Sequence, residues 1–168
     1  DNFGTTASNG PDGSLVGGTV AFAPGYPTTP DAIQATMGVF SDGVSHMALT
    51  VFSPDGSALL YSTYLGGSHA DIPHSLAYNS DWGRIALFGT TGSSNFPVTA
   101  GAYQSNLASG PPSDITIYGV DPQPNGVDCI LATFDAVDFT LEAATYFGGS
   151  GIDGVNSASG LRANFGDF

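Results

Sequence analysis

Lysine is absent from this sequence, and Arg84 and Arg162 are its only strong bases. Against them stand fourteen aspartates and Glu142, a formal charge of −13 at pH 7. A surface of that sign repels phosphate backbones and anionic headgroups, which disfavours nucleic-acid binding and peripheral membrane docking. Divalent cations and neutral glycans are not repelled, and acidity also serves plain solubility. Cysteine is nearly absent too: Cys129, in the apolar run Cys129-Ile130-Leu131-Ala132, has no partner for an intrachain disulfide and reads as a small buried hydrophobe. No apolar stretch approaches the roughly 20 residues of a spanning helix, so no membrane insertion is expected. The opening Asp1-Asn2-Phe3-Gly4 is not a basic signal-peptide start. Helical periodicity is missing as well, because Gly or Pro interrupts nearly every window in which it could develop.

What is present is the material of a loop-rich β protein. There are 24 Gly and 11 Pro, a share that would read as disorder were it not for 11 Phe, 7 Tyr and Trp82, distributed through short apolar runs that can bury a core. The sparse charge and the Gly, Ser, Thr and Asn bias fit an extracellular protein.

One passage occurs twice without a gap. Leu49 to Asp71 and Leu131 to Asp153 superimpose at a constant offset, matching at Leu49/Leu131, Phe52/Phe134, Thr63/Thr145, Tyr64/Tyr146, Gly66/Gly148, Gly67/Gly149 and Asp71/Asp153, among others. A repeat of this length implies one small structural unit built more than once. In the complete copy four strands are expected: Ser75–Tyr78, Arg84–Thr90, Cys129–Phe134 and Leu141–Phe147. Asn79-Ser80-Asp81-Trp82-Gly83 supplies a hairpin turn between the first two. A link follows the second strand in both copies: Gly18-Thr19 aligns with Gly89-Thr90, Tyr26-Pro27-Thr28-Thr29 with Phe96-Pro97-Val98-Thr99, and Ala32-Ile33-Gln34 with Ala102-Tyr103-Gln104. The later link carries a Pro-rich surface insertion at about 105–128. The expected division is a partial unit over 1–70 lacking its first strand, a complete unit over 71–154, and the start of another over 155–168. With both ends inside repeats, the chain reads as part of a longer polypeptide.

Tyr61-Ser62-Thr63-Tyr64-Leu65-Gly66-Gly67-Ser68, followed by Phe88-Gly89-Thr90-Thr91-Gly92-Ser93-Ser94-Asn95-Phe96-Pro97, resembles the SBBP, or seven-bladed β-propeller, repeat of bacterial proteins, over about residues 11 to 168. The resemblance implies an all-β fold of four-stranded propeller blades, of which this chain covers about two. It also implies a large secreted or surface-attached protein, often exported by the type IX system, with no catalytic residues defined for the repeat. Two features depart from the pattern: the unit is well above that family's usual length, and Ala143-Ala144 stands where the first copy has Tyr61-Ser62.

The repeat residues also have physical readings of their own. Tyr64 and Tyr146 alternate with Thr on strands, Gly66-Gly67 and Gly148-Gly149 permit positive φ and a sharp exit, and Phe96-Pro97 is an aromatic plug ahead of a Pro-fixed residue, placed to press on a neighbouring blade. Asp71 and Asp153 cap the turn between units by accepting backbone N–H bonds. Two metal readings stand beside these. His69, Asp71 and His74 have transition-metal ligand types close together in sequence, though only the aspartate belongs to the repeat. Asp121, Asn125 and Asp128 offer the hard oxygens that calcium prefers, without EF-hand spacing, against the simpler reading of a solvated loop. No Gly-x-Ser-x-Gly elbow and no phosphate-cradling glycine loop is present.

The expected function is a non-enzymatic propeller segment of an extracellular bacterial surface or secreted protein, structural, adhesive or protein-binding. Its expected partners are the remaining blades, other surface proteins or glycans, and calcium is the one candidate cofactor. Two other classes remain: a carbohydrate-active propeller, lyase or hydrolase, with its catalytic blades elsewhere, and a partner or passenger of a type IX secretion or gliding complex.

Overall fold

The computed structural model describes residues 5–38, 44–112 and 123–154. They form two four-stranded antiparallel sheets in sequence order. The first contains β1 (Thr5–Asn9), β2 (Leu15–Ala21), β3 (His46–Phe52) and β4 (Leu59–Leu65); the second contains β5 (Asp71–Asn79), β6 (Arg84–Thr91), β7 (Asp128–Asp135) and β8 (Leu141–Phe147). A single 3-10 turn, Pro11–Gly13, joins β1 to β2 and is the only helical element among the described residues.

The first unit therefore has its opening strand, contrary to the sequence expectation. Thr5–Asn9 is small and polar, so it carries no apolar signal; it becomes a strand because β2 offers it a partner edge, with Thr6 opposite Gly18 and Ser8 opposite Val16. Strand register also moves the alignment of the copies by one position. Leu49 lies opposite Gly18, and its counterpart Leu131 lies opposite Phe88, so Gly18 corresponds to Phe88 rather than to Gly89. The spacing in this part of the unit is thus the same as that from Tyr26 to Phe96. A slip of a single position exchanges the two faces of a strand.

Each sheet has two unlike faces. On the first sheet, Val16, Leu49, Val51, Tyr61 and Leu65 share one face, which packs against Ile85, Leu87, Ile130, Phe134 and Tyr146 of the second. Strand β5 lies against β1, β2 and β3 across this junction. The residues in contact come from opposite faces of the repeat: the first sheet presents its Leu49 face, the second its Tyr146 face. A small second cluster of Ala21, Met37, Val44 and Tyr64 sits on the far side of the first sheet.

The insertion at about 105–128 is anchored at both described ends, not purely a surface loop. Leu107 enters the main core, and buried Gln123 accepts from Ala70 N through Oε1 at 3.3 Å. The expected third unit over 155–168 lies outside the described residues.

Candidate functional site

The link after the second strand turns back across the open edge of its own sheet as a strap. In the first unit Thr29 N donates to Ser62 O at 3.0 Å, Tyr64 N to Gln34 O at 3.1 Å, Ser62 N to Thr29 Oγ1 at 3.1 Å and Gln34 N to Thr63 Oγ1 at 3.0 Å. The second unit repeats every bond: Thr99 N to Ala144 O at 3.1 Å, Tyr146 N to Gln104 O at 3.1 Å, Ala144 N to Thr99 Oγ1 at 3.0 Å and Gln104 N to Thr145 Oγ1 at 3.0 Å. Backbone groups of the last strand that would otherwise invite another strand are thereby occupied. That explains Thr63 and Thr145 in the repeat better than face alternation does.

The repeat tyrosine pins the strap. Tyr64 Oη accepts from Tyr26 N at 2.8 Å, and Tyr146 Oη accepts from Phe96 N at 2.9 Å while donating to Ser93 O at 2.6 Å. The rings of Tyr26 and Phe96 rest on Tyr64 and Tyr146 with centroids 5.8 and 6.2 Å apart. The aromatic before Pro97 thus seats on Tyr146 of its own sheet, and because that face meets the first sheet, buried Phe96 also enters the core that the two sheets share.

The exit from each last strand forms the junction. Ser45 bridges Ala70 and Val127 bridges Ile152, with Asp71 N donating to Ser45 O at 3.0 Å and Asp153 N to Val127 O at 2.8 Å. Asp71 Oδ2 accepts from Gly67 N, and Asp153 Oδ2 from Gly149 N, each at 2.8 Å. Gly66 N and Gly148 N bind the side chains of Gln34 and Gln104 at 3.0 and 3.1 Å. None of Gly66, Gly67, Gly148 and Gly149 has positive φ. The first of each pair is needed for close approach: a Cβ on Gly66 would meet Asp71 Oδ2 at 2.5 Å and His46 Cδ2 at 2.7 Å.

Asp71 is fully buried and serves two sheets at once. Besides Gly67 N it accepts from Thr91 Oγ1 and from Ser93 Oγ, the latter at 3.1 Å. Burial pushes its carboxyl up to about 7, since three hydrogen bonds do not offset the loss of water. His46, buried beside it, binds Gly67 O through Nε2 at 2.8 Å, and burial lowers its basicity.

The three transition-metal candidates are not assembled into a site, because their side chains take separate partners. His69 Nδ1 pairs with Ser68 Oγ at 3.0 Å, Asp71 is bound as described, and buried His74 pairs with Thr90 through Nε2 at 2.9 Å, its pKa lowered to about 4 by burial. Among the described residues no group of three or more His, Cys, Asp or Glu is placed to hold a metal. Of the expected calcium set, Asp121 lies outside the described residues. Asn125 is exposed in a turn whose carbonyl accepts from Gly110 N at 2.9 Å, whereas Asp128 is fully buried at the start of β7. Sequence reasoning missed that His46 and Asp128 occupy one repeat position, although the constant offset between the copies places them together.

The chain belongs to the class of all-β proteins built from successive four-stranded antiparallel sheets, here with edge straps. No protein-family model matches it, and no curated protein matches it.

Proposed function

We propose that this chain is a non-catalytic segment of an extracellular bacterial β-propeller of the SBBP type, a scaffold for surface structure or adhesion. The observation that carries this reading is the directional stacking of unlike faces. The first sheet gives its Leu49 face to the Tyr146 face of the second, which leaves a Tyr64 face at one end and a Leu131 face at the other. Leu131 and Phe147 are 39 % and 61 % exposed, while their counterparts Leu49 and Leu65 are fully buried. At the opposite end Tyr26, Pro27, Thr50, Phe52 and Leu59 line a shallow, almost wholly apolar hollow of about 330 Å³. Interfaces that join unlike faces close into a ring where the rotation between units allows it and run on as an open array where it does not, and a propeller is the closed case.

The secreted setting rests on the lysine-free, acidic, Gly/Ser/Thr-rich composition and on the resemblance of the Tyr61–Ser68 and Thr91–Pro97 segments. Two measurements test the reading. A structure of the full polypeptide should carry another four-stranded sheet with its repeat tyrosine against Leu131 and Phe147; a solvated Leu131 face there would overturn the propeller. Antibody labelling of intact cells of the source bacterium should detect the chain at the surface, and a signal only after lysis would overturn the location.

A further inference from the structure

The two junctions differ at one repeat position, and that difference points to a ligand. In the first, His46 stands beside Asp71, so a single carboxylate meets an imidazole. In the second, Asp128 replaces the histidine, so two carboxylates face each other over Gly148: a Cβ there would meet Asp128 Oδ1 at 2.5 Å and Asp153 Oδ2 at 3.0 Å. Asp128 Oδ2 is occupied, accepting from Ala108 N at 2.8 Å and Gln104 Nε2 at 2.9 Å. Its Oδ1 is buried, with no hydrogen-bond partner among the described residues. Such an oxygen is costly to leave unpaired. Asp153 accepts, among the described residues, from Gly149 N alone.

No basic side chain relieves this pair among the described residues. Arg84 is the one strong base there, and it is paired with Glu142. Two carboxylates this close, one of them buried with an unpaired oxygen, call for positive charge of some kind. A proton or a cation could supply it.

We propose that Asp128 and Asp153 form a calcium site at the exit of the second sheet, with the remaining ligands supplied by water and backbone oxygens. Two carboxylates at a partly open junction suit a hard cation with flexible geometry rather than a soft one. So few protein ligands give weak binding, on the order of 10⁻⁴–10⁻³ M, the range of extracellular modules. The site keeps Asp128 from the Asp121, Asn125 and Asp128 set considered from sequence but pairs it with Asp153 in place of the loop residues, and it has no counterpart in the first unit because His46 occupies the position.

Calcium titration of the chelator-treated chain, followed by calorimetry and by the thermal midpoint, tests the site. Terbium luminescence excited through tyrosine and competed away by calcium gives a second readout. The expected result is saturable binding, a raised midpoint, and affinity weakened at least about tenfold in both Asp128→Asn and Asp153→Asn, the scale lost even with outer-sphere partners. The amide that replaces the carboxylate in Asp128→Asn keeps an acceptor oxygen for Ala108 and Gln104, so the variant should fold, which circular dichroism checks. Asp55→Asn, in an exposed turn, should bind as the parent does. Absence of any calcium response in the parent, or binding unchanged in both junction variants, would overturn the site. So would a parent blind to calcium alongside a more stable Asp128→Asn, the outcome expected if the pair shares a proton.

Discussion

Leu49 and Leu131 are the same residue of the same repeat in the same strand position, yet one is sealed between sheets and the other is 39 % exposed. The same holds for Leu65 and Phe147. What differs is the neighbour: the first sheet has another sheet against this face, whereas the described residues of the second put none there. The two copies share the apolar side chain but not its burial, so a sheet packed on this face, and not the residue alone, sets what the side chain contributes.

The largest expected effect breaks that symmetry directly. Leu49→Ala should cost about 2–5 kcal/mol in chemical denaturation, the usual range for opening a cavity in a closed core, whereas Leu131→Ala should cost well under half as much. Equal losses would mean that the Leu131 face is already filled, and the directional-stacking argument would fail.

Next comes the junction carboxylate. Asp71 carries a pKa of about 7 in the fold, against about 3.9 in an unfolded chain. Between those values the folded group keeps a proton that the unfolded one has lost, so its contribution to stability falls as pH rises from about 4 to about 7, then levels. Three pKa units correspond to a ceiling of roughly 4 kcal/mol. His74 works in the other direction: its pKa of about 4 lies below the unfolded value of about 6.5, so its contribution is lost as pH falls through that window. The two slopes oppose each other, which hides both in the parent. Asp71→Asn should expose them: its stability relative to the parent should climb from pH 4 to pH 7. A constant difference across that window would refute the buried-acid description.

The strap tyrosine should cost about 1–3 kcal/mol when its hydroxyl is removed. Tyr146→Phe leaves Phe96 N and Ser93 O without their partner inside a sealed interface. Tyr64→Phe loses the 2.8 Å bond from Tyr26 N but only a long 3.4 Å contact to Ala23 O, beside a face that opens to solvent. Tyr146→Phe should therefore be the more damaging of the two by denaturation midpoint, and the reverse order would show that burial is not what sets the value of this bond.

Strand content and the two-unit organisation were legible because they rest on local patterns: apolar alternation, turn residues and a constant offset that carries β3 and β4 onto β7 and β8. Asp71 and Asp153 were legible as turn caps for the same reason. β1 was not, since Thr5–Asn9 has no apolar side and is fixed by pairing alone. The role of Gly66 and Gly148 was misread because glycine is compatible with both positive φ and close approach, and only the positions of Asp71, His46 and Asp128 distinguish them. Convergence of Asp128 and Asp153, which stand at opposite ends of the β7–β8 hairpin in sequence, depends on the pairing of Cys129 with Phe147 and the bridge of Val127 with Ile152, which no local window contains.

The smallest expected effect concerns a difference that looks important and should not be. Arg84 Nε lies 2.5 Å from Glu142 Oε2, an ion pair that the first sheet lacks, since register and spacing put Ser14 and exposed Leu60 at the matching positions. In a protein with so few bases it invites a structural role. Yet both side chains reach into water, where solvent screens the attraction and ordering two flexible groups offsets much of it, so exposed pairs contribute about 0.2–1 kcal/mol. Arg84→Met should therefore shift the denaturation midpoint only slightly, and by less still at high salt. A loss comparable to Leu49→Ala would mean that the two sheets are held by charge rather than by the apolar face they share.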